Sequence, residues 1–395
     1  MMLRRAGVVI ALLCSALSLQ AQSYDSVVIG GDTISYKYTS MDQTSRQRGF
    51  GLNLYDYTRL LPDEPKRVNF SVVGGPGYSE TRGWQLSLRA AMQYRSPQRS
   101  ELINELSVYA AASLRGCYDV GVEGYNFLTS SRHRIYYGGS VSSSPTYLYG
   151  LDYAASSADD PGLYTDKLYR AEIGYDWQIS EIFSAGVHAD YRHQRATKLD
   201  DRAATIVAHR TTSYSGGGVG IRVKMSTHKV LDINLQRGVV VRADATLRPK
   251  LLGSLEHNVW QFAADVNYYQ PLWKWGLLAF DVYGEHSTKH TPWMLRSALG
   301  SDSRMRGYYY SRYNGDTLLG AQVELRQRVW EGLVVAGWGG AATAFSEGDT
   351  FSWRNVLPNY GVGIRWYADA HSAVRIDLGF GRHGSSFIVG LSEAF

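Results

Sequence analysis

The chain has 395 residues, with 41 Lys and Arg against 36 Asp and Glu, and its net charge of +5 is too small to single out an acidic partner or nucleic acid. It carries two cysteines, and its 29 Tyr, 10 Trp and 41 Gly beside 10 Pro are unusual for a soluble enzyme. Past the N-terminus no window approaches the ~20 consecutive apolar residues of a membrane helix, which excludes a helical membrane protein.

Residues 1–22 have the layout of a secretory signal peptide: Arg4 and Arg5, an apolar run from Ala6 to Leu19, and the small residue Ala21 ahead of Gln22. Cys14 lies inside that run behind Leu13, where a lipid-anchor motif needs a small residue. Cys117 alone then remains after cleavage, and no intrachain disulfide is possible. Residues 23–66 show little order: Val27-Val-Ile29 suits a short strand, while Arg46-Gln-Arg48 and Pro62-Asp-Glu-Pro65 read as turns or linker. Such a segment is too short to bury a core of its own, so a periplasmic tail or plug is expected.

Over residues 67–395 alternation with a period of two dominates. Trp84, Leu86, Leu88, Ala90, Met92 and Tyr94 share one face, and Gln85, Ser87, Arg89, Gln93 and Arg95 share the other. The pattern returns around Tyr169–Trp177, Phe183–Tyr191, Val219–Met225, Val239–Leu247, Trp260–Tyr268 and Leu278–Val282. A soluble sandwich alternates too, but its apolar faces are seldom backed by faces this densely charged with both signs. The expectation is an all-β fold, a transmembrane antiparallel β-barrel whose lumen is laced with ion pairs. With weaker candidates at Asn69–Tyr78, Leu102–Ala112, Cys117–Phe127 and Arg132–Val141, about eleven strands precede residue 299 and about five come after it, at Leu318–Trp330, Leu333–Phe345, Tyr360–Ala368, Ala373–Gly381 and Phe387–Phe395. The total of about 16 is even, as single-chain outer-membrane barrels require. Long connections at 142–163, 199–215, 290–314 and 346–359 all fall on the side expected to be extracellular, and short turns such as Glu331-Gly332 fall on the other.

One of those connections holds Leu299-Gly-Ser-Asp-Ser-Arg-Met-Arg-Gly-Tyr308 and then Tyr309-Tyr-Ser-Arg-Tyr-Asn-Gly-Asp316. A polar loop of this length is functional or disordered, and its tyrosines argue for something to pack on. The segment resembles the glycine-rich, Arg-Gly-aromatic loop of the bacterial surface antigen superfamily of outer-membrane barrels, BamA/TamA-like. Gly75-Pro-Gly-Tyr78 before Gly83, Pro145-Thr-Tyr-Leu-Tyr-Gly150, Tyr360-Gly-Val-Gly-Ile-Arg365 and Val374-Arg-Ile-Asp-Leu-Gly379 are similar to other landmarks of that family in order and spacing. The resemblance implies that the loop folds into the lumen as a latch, with Arg306, Gly307 and Tyr308 at its tip and acidic partners at Asp377, on the inward face it shares with Arg375, and at Glu324. A buried guanidinium needs such partners, because its five donors and fixed charge are costly to strand. The ending also looks like the family's C-terminal insertion signal, with Phe387, Val389, Leu391 and Phe395 on one face, although Glu393 breaks the alternation. Two departures stand out. The strand after the loop's own reads Trp338-Gly-Gly-Ala-Ala342, without the aspartate the family often has there, and the span between Ser23 and Lys66 is too short for periplasmic receptor modules.

Other chemistries leave little trace. His286 and His290 have a spacing that binds metal on a helix but not along a strand, and no serine near His286, His371 or His383 is singled out as a nucleophile. Gly216-Gly-Gly218 and Val73-Gly-Gly-Pro-Gly77 lack the following helix and lysine of a phosphate loop and read as turns and kinks. No enzyme activity, cofactor, metal or nucleic acid is therefore expected. The resemblance implies an assembly or translocation barrel in the outer membrane of a Gram-negative bacterium, in contact with lipid and lipopolysaccharide. It would handle client outer-membrane or exported proteins, working with a separate periplasmic partner. The alternatives are a pore for small solutes and a structural or partner-binding barrel.

Overall fold

A strand with one apolar and one charged face leaves unpaired backbone donors and acceptors along both edges, and in a membrane those groups find partners only if the sheet closes on itself. The computed structural model describes residues 26–29, 32–35, 68–79, 82–96, 99–128, 130–157, 160–232, 234–330, 332–346, 352–369, 372–391 and 393–395. The expected signal peptide and most of residues 23–66 lie outside them; of the latter, Ser26–Ile29 pairs with Asp32–Ser35 in a short ladder.

The rest is a closed antiparallel barrel. Its strands are β1 (Val68–Ser79), β2 (Gly83–Ser96), β3 (Arg99–Ser113), β4 (Tyr118–Phe127), β5 (His133–Leu148), β6 (Gly162–Gln178), β7 (Phe183–Thr197), β8 (Ser213–Ser226), β9 (Leu235–Arg248), β10 (Val259–Trp273), β11 (Gly276–Ser287), β12 (Thr317–Trp330), β13 (Leu333–Phe345), β14 (Leu357–Asp369), β15 (Ser372–Gly381) and β16 (Gly384–Leu391). A short piece, Lys229–Asp232, pairs back onto β9. Eleven strands precede the loop of Arg306 and five come after it, in the order and number expected.

The two faces separate as the alternation requires. Leu86, Leu88, Ile173, Val187, Ile221, Val282, Val362 and Ile376 are exposed on the outer face. Arg89, Glu105, Asp119, Asp176, Asp281, Glu324, Arg365 and Asp377 are buried on the inner one. Ion pairs line that interior, among them Arg89 with Glu123, Arg134 with Asp176 at 2.8 Å, Arg242 with Asp265 at 2.8 Å and Arg248 with Asp190 at 2.9 Å. Exposed Trp177, Trp273, Trp275, Trp330 and Trp366 gather toward the end with short turns, and exposed Trp84, Tyr118, Trp260 and Tyr360 toward the other. Two such aromatic bands bounding an apolar surface are the mark of a membrane-spanning barrel.

Several strands outrun the alternation. β5 was expected to stop near Val141 but continues to Leu148 in register with β6, from Ser142 opposite Leu168 to Leu148 opposite Gly162. The ladder needs only backbone groups, so it extends through Ser142, Ser143 and Ser144, where the side chains no longer need to be apolar. The connection after β5 is correspondingly shorter, and contains helix α1 (Tyr153–Ser157); the one after β7 contains helix α2 (Asp201–Ile206).

The closure between β16 and β1 is unlike every other junction. Val389 opposite Tyr78 is the one register pair between them among the described residues, whereas β1 and β2 pair from Val68 to Ser79 without a break. Pro76 has no amide hydrogen to offer a neighbouring strand. Ring contacts help to cover the joint: Tyr78 lies 5.6 Å from Phe387 and 5.3 Å from Trp84 between centroids.

Candidate functional site

The loop between β11 and β12 is built to hold one conformation. A short ladder joins Ser297–Ala298 to Asn314–Gly315, Leu299 donates its amide to the Tyr313 carbonyl at 2.8 Å, and Ser311 donates to the Leu299 carbonyl at 3.1 Å. Leu299, Met305, Tyr308 and Tyr313 are buried with Tyr283, Leu318, Ala342, Ala344 and Leu357 of β11 to β14. Tyr308 and Tyr313 thus have the packing partners that their presence in a polar segment demanded.

Gly307 has φ +112, and a Cβ there would meet the Phe380 carbonyl carbon at 2.5 Å. A Cβ on Gly379 would in turn meet the Arg306 carbonyl carbon at 2.7 Å. Loop backbone and β15 backbone therefore touch, and only glycine at both places permits it. Tyr308 fixes the same spot by donating its hydroxyl hydrogen to the Pro358 carbonyl at 2.7 Å and accepting from the Arg382 amide at 2.9 Å.

This contact brings the fully buried Arg306 against Asp377 of β15 and Glu324 of β12. Its Nη1 donates to Asp377 Oδ2 at 2.8 Å and its Nη2 to Glu324 Oε2 at 2.6 Å. The guanidinium carbon lies 3.6 Å from the centroid of Trp338. Further arginines share the two acids: Arg365 bonds Asp377 and reaches Glu324 at 3.2 Å, Arg326 donates to Glu324 at 2.8 Å, and Arg375 reaches Asp377 at 3.3 Å. Each carboxylate oxygen thus faces at least one guanidinium, which is how charges without water are kept tolerable. Such a network contributes less to net stability than to specifying a single arrangement.

A second loop arginine is held separately. Arg304 makes a two-pronged bond to Asp281, Nε to Oδ2 and Nη2 to Oδ1 at 2.7 Å each, and lies 4.1 Å from the Tyr283 centroid. Burial disfavours its charge, but the bonds and charge of Asp281 outweigh that and hold its pKa above the ordinary arginine value. Asn267 and Gln322 complete the set, donating to Asp281 at 2.9 Å and 3.0 Å.

The chain end departs from expectation. Phe387 faces outward and is 41% exposed, whereas Phe395 does not share that face: it is 5% exposed, packed with Val240, Tyr269, Leu277 and Ala279 of β9 to β11. Val389 is half-buried at the seam, and the side chain of Leu391 lies outside the described residues. The physical reason is that the strand stops at Leu391, and Glu393 steers the chain terminus inward. Glu393 accepts from the Tyr367 hydroxyl and from Arg365 at 3.3 Å, and lies 3.4 Å from Arg326. Arg326 also donates to the Phe395 main-chain oxygen at 3.1 Å.

Of the residues expected at the latch, Arg306, Asp377 and Glu324 are brought together, and Gly307 and Tyr308 form the joint that places them. Sequence reasoning missed Trp338 as the aromatic floor, Arg304 with Asp281, and Arg326 and Arg365 as the shared cations. The signal available for Glu393 was its break in the alternation.

No protein-family model and no curated protein matches the chain. Solved structures do. CdiB from Acinetobacter baumannii matches with a TM-score of 0.54 and 14% identity, over 83% of this chain and 60% of that one. BamA from Haemophilus ducreyi lacking POTRA domains 1–3 matches with a TM-score of 0.57 and 12% identity, over 82% and 70%. CdiB from Escherichia coli gives 0.56 and 13%, over 84% and 63%. The chain spans 60% of the length of the first of these, and the likeness is one of fold. That fold is the architecture of Gram-negative outer-membrane barrels.

Proposed function

We propose that this barrel assists insertion or export of proteins at the outer membrane, by opening between β16 and β1 and lending the freed strand edges to a client strand. The observation that carries the reading is the seam, where among the described residues one register pair, Val389 with Tyr78, does the work that a long ladder does at the other junctions. With no further register pair to β16 among the described residues, backbone donors and acceptors of β1 below that pair would template an incoming strand by edge addition. The loop of Arg306 acts as an inward latch that keeps the lumen occupied while the seam works. Residues 23–66 serve as a tail or plug on the periplasmic side, and a separate periplasmic protein delivers the client.

A disulfide across the seam tests this. Tyr78→Cys with Val389→Cys, oxidised in cells, is expected to reduce the level of folded outer-membrane proteins, and reductant is expected to restore it. Unchanged levels in the locked form, with the crosslink verified, would count decisively against an opening seam.

A further inference from the structure

At the mouth that bears the long loops, α1, the segment before β14 and the hairpin between β15 and β16 border an open cleft of about 450 Å³. Tyr153, Arg354, Asn355, Arg382 and His383 line it together with two serine hydroxyls, and no carboxylate does so among the described residues. Arg382 is held by neutral groups alone: it donates to the Tyr153 hydroxyl at 3.1 Å, to the Arg354 carbonyl at 3.3 Å and to the Val356 carbonyl at 3.1 Å. Carbonyls orient a guanidinium without neutralising it, so the described residues give the cleft a net positive charge. The Arg354 side chain has no partner among the described residues, although it opens onto the same space.

From this we infer a binding site for a phosphate-bearing sugar. Two arginines among the lining residues suit a phosphate, which accepts paired hydrogen bonds from arginine. The volume far exceeds a bare phosphate and falls within the usual range of small-ligand sites. Ser157, Ser352 and Asn355 supply hydroxyl and amide groups for sugar hydroxyls. The inference rests on this mouth facing outward. Phosphorylated sugars reach it there either free in solution or as the headgroup region of outer-leaflet glycolipid.

Titration calorimetry on the full chain in detergent tests the site, with glucose 6-phosphate, delipidated phosphorylated lipopolysaccharide core, glucose and inorganic phosphate as probes. A phosphorylated saccharide is expected to bind saturably, with glucose silent and inorganic phosphate weaker. Tighter binding of the core than of glucose 6-phosphate assigns the site to glycolipid, and the reverse assigns it to a free sugar. The exposed Arg354→Gln substitution is expected to weaken binding roughly tenfold or more, with heat-resistant folding unchanged. The form locked by Tyr78→Cys and Val389→Cys is expected to bind as the open form does, so failure here is separable from failure of the seam. No saturable binding of either phosphorylated saccharide, or binding indifferent to Arg354→Gln, overturns the site.

Discussion

The guanidinium of Arg306 lies over the indole of Trp338, 3.6 Å from its centroid. In the strand where the family resemblance led us to look for an aspartate, an aromatic face takes up the same charge. A desolvated cation–π contact of this kind contributes on the order of 2 kcal/mol, without adding a third anion to Glu324 and Asp377.

Replacing Arg306 by Ala leaves Glu324 Oε2 without its guanidinium and Asp377 with two cations in place of three, and is expected to cost about 3 kcal/mol, read as an earlier loss of heat-resistant migration. Arg306→Lys should recover little, because a single ammonium cannot reach Asp377 and Glu324 while lying flat on Trp338. Trp338→Ala should cost about 3–5 kcal/mol alone for its buried ring, and about 2 kcal/mol less than that in the Arg306→Ala background. Additive losses in that double mutant break the proposed contact.

Phe395 gives a test of the inward chain end. Truncation to Ala opens the cluster with Tyr269, Leu277 and Ala279, and is expected to lower the stability of refolded protein by about 3 kcal/mol or more. The measurement is made after refolding in detergent, so an effect on cellular insertion does not enter. If refolded Phe395→Ala unfolds like the parent, the ring is not packed in the barrel.

The physics of each feature decides how far the sequence reveals it. Strand number and order were legible, because a wall between hydrocarbon and a polar interior imprints its alternation on every crossing. Strand ends were not: the β5–β6 ladder runs on through Ser142–Thr146 with no apolar face to announce it. The contact of Asp377 and Glu324 with Arg306 was expected from the resemblance of the loop motif. Arg326 and Arg365 sit at inward positions like many other arginines here, and which acid each one meets is set by barrel closure, which spacing along one strand does not encode. Glu393 was visible as a fault in the final alternation, but its partners Tyr367 and Arg365 lie across β14.

Arg304 should tether the loop independently of Arg306. Asp281→Asn and Arg304→Ala are each expected to loosen the loop, with a coupling of about 1–3 kcal/mol between them and near-additivity with Arg306→Ala. Planar-bilayer conductance gives a second readout. Either single loss leaves one anchor and a modest rise in current, and the Arg304→Ala, Arg306→Ala pair is expected to approach the conductance of a chain lacking residues 299–315. Unchanged conductance on that deletion argues that the loop does not occupy the lumen.

The last expectation concerns pH at the outer loops. Asp200 caps α2: its carboxylate accepts from the Ala203 amide at 2.7 Å and from the Leu163 amide at 2.8 Å, and these bonds hold its pKa below the ordinary aspartate value. A lowered pKa means that the ionised form is favoured in the folded loop, so the stabilisation is complete above the ordinary value near about 4 and is lost as pH falls through the lowered one. Protection of the Ala203 and Leu163 amides against hydrogen exchange, corrected for intrinsic rates, should therefore decline in strong acid. Asp200→Asn should keep part of the protection and lose its pH dependence, while Asp200→Ala should lose protection at every pH. Protection that is equal in Asp200→Ala and the parent at neutral pH would show that the cap does not hold the loop.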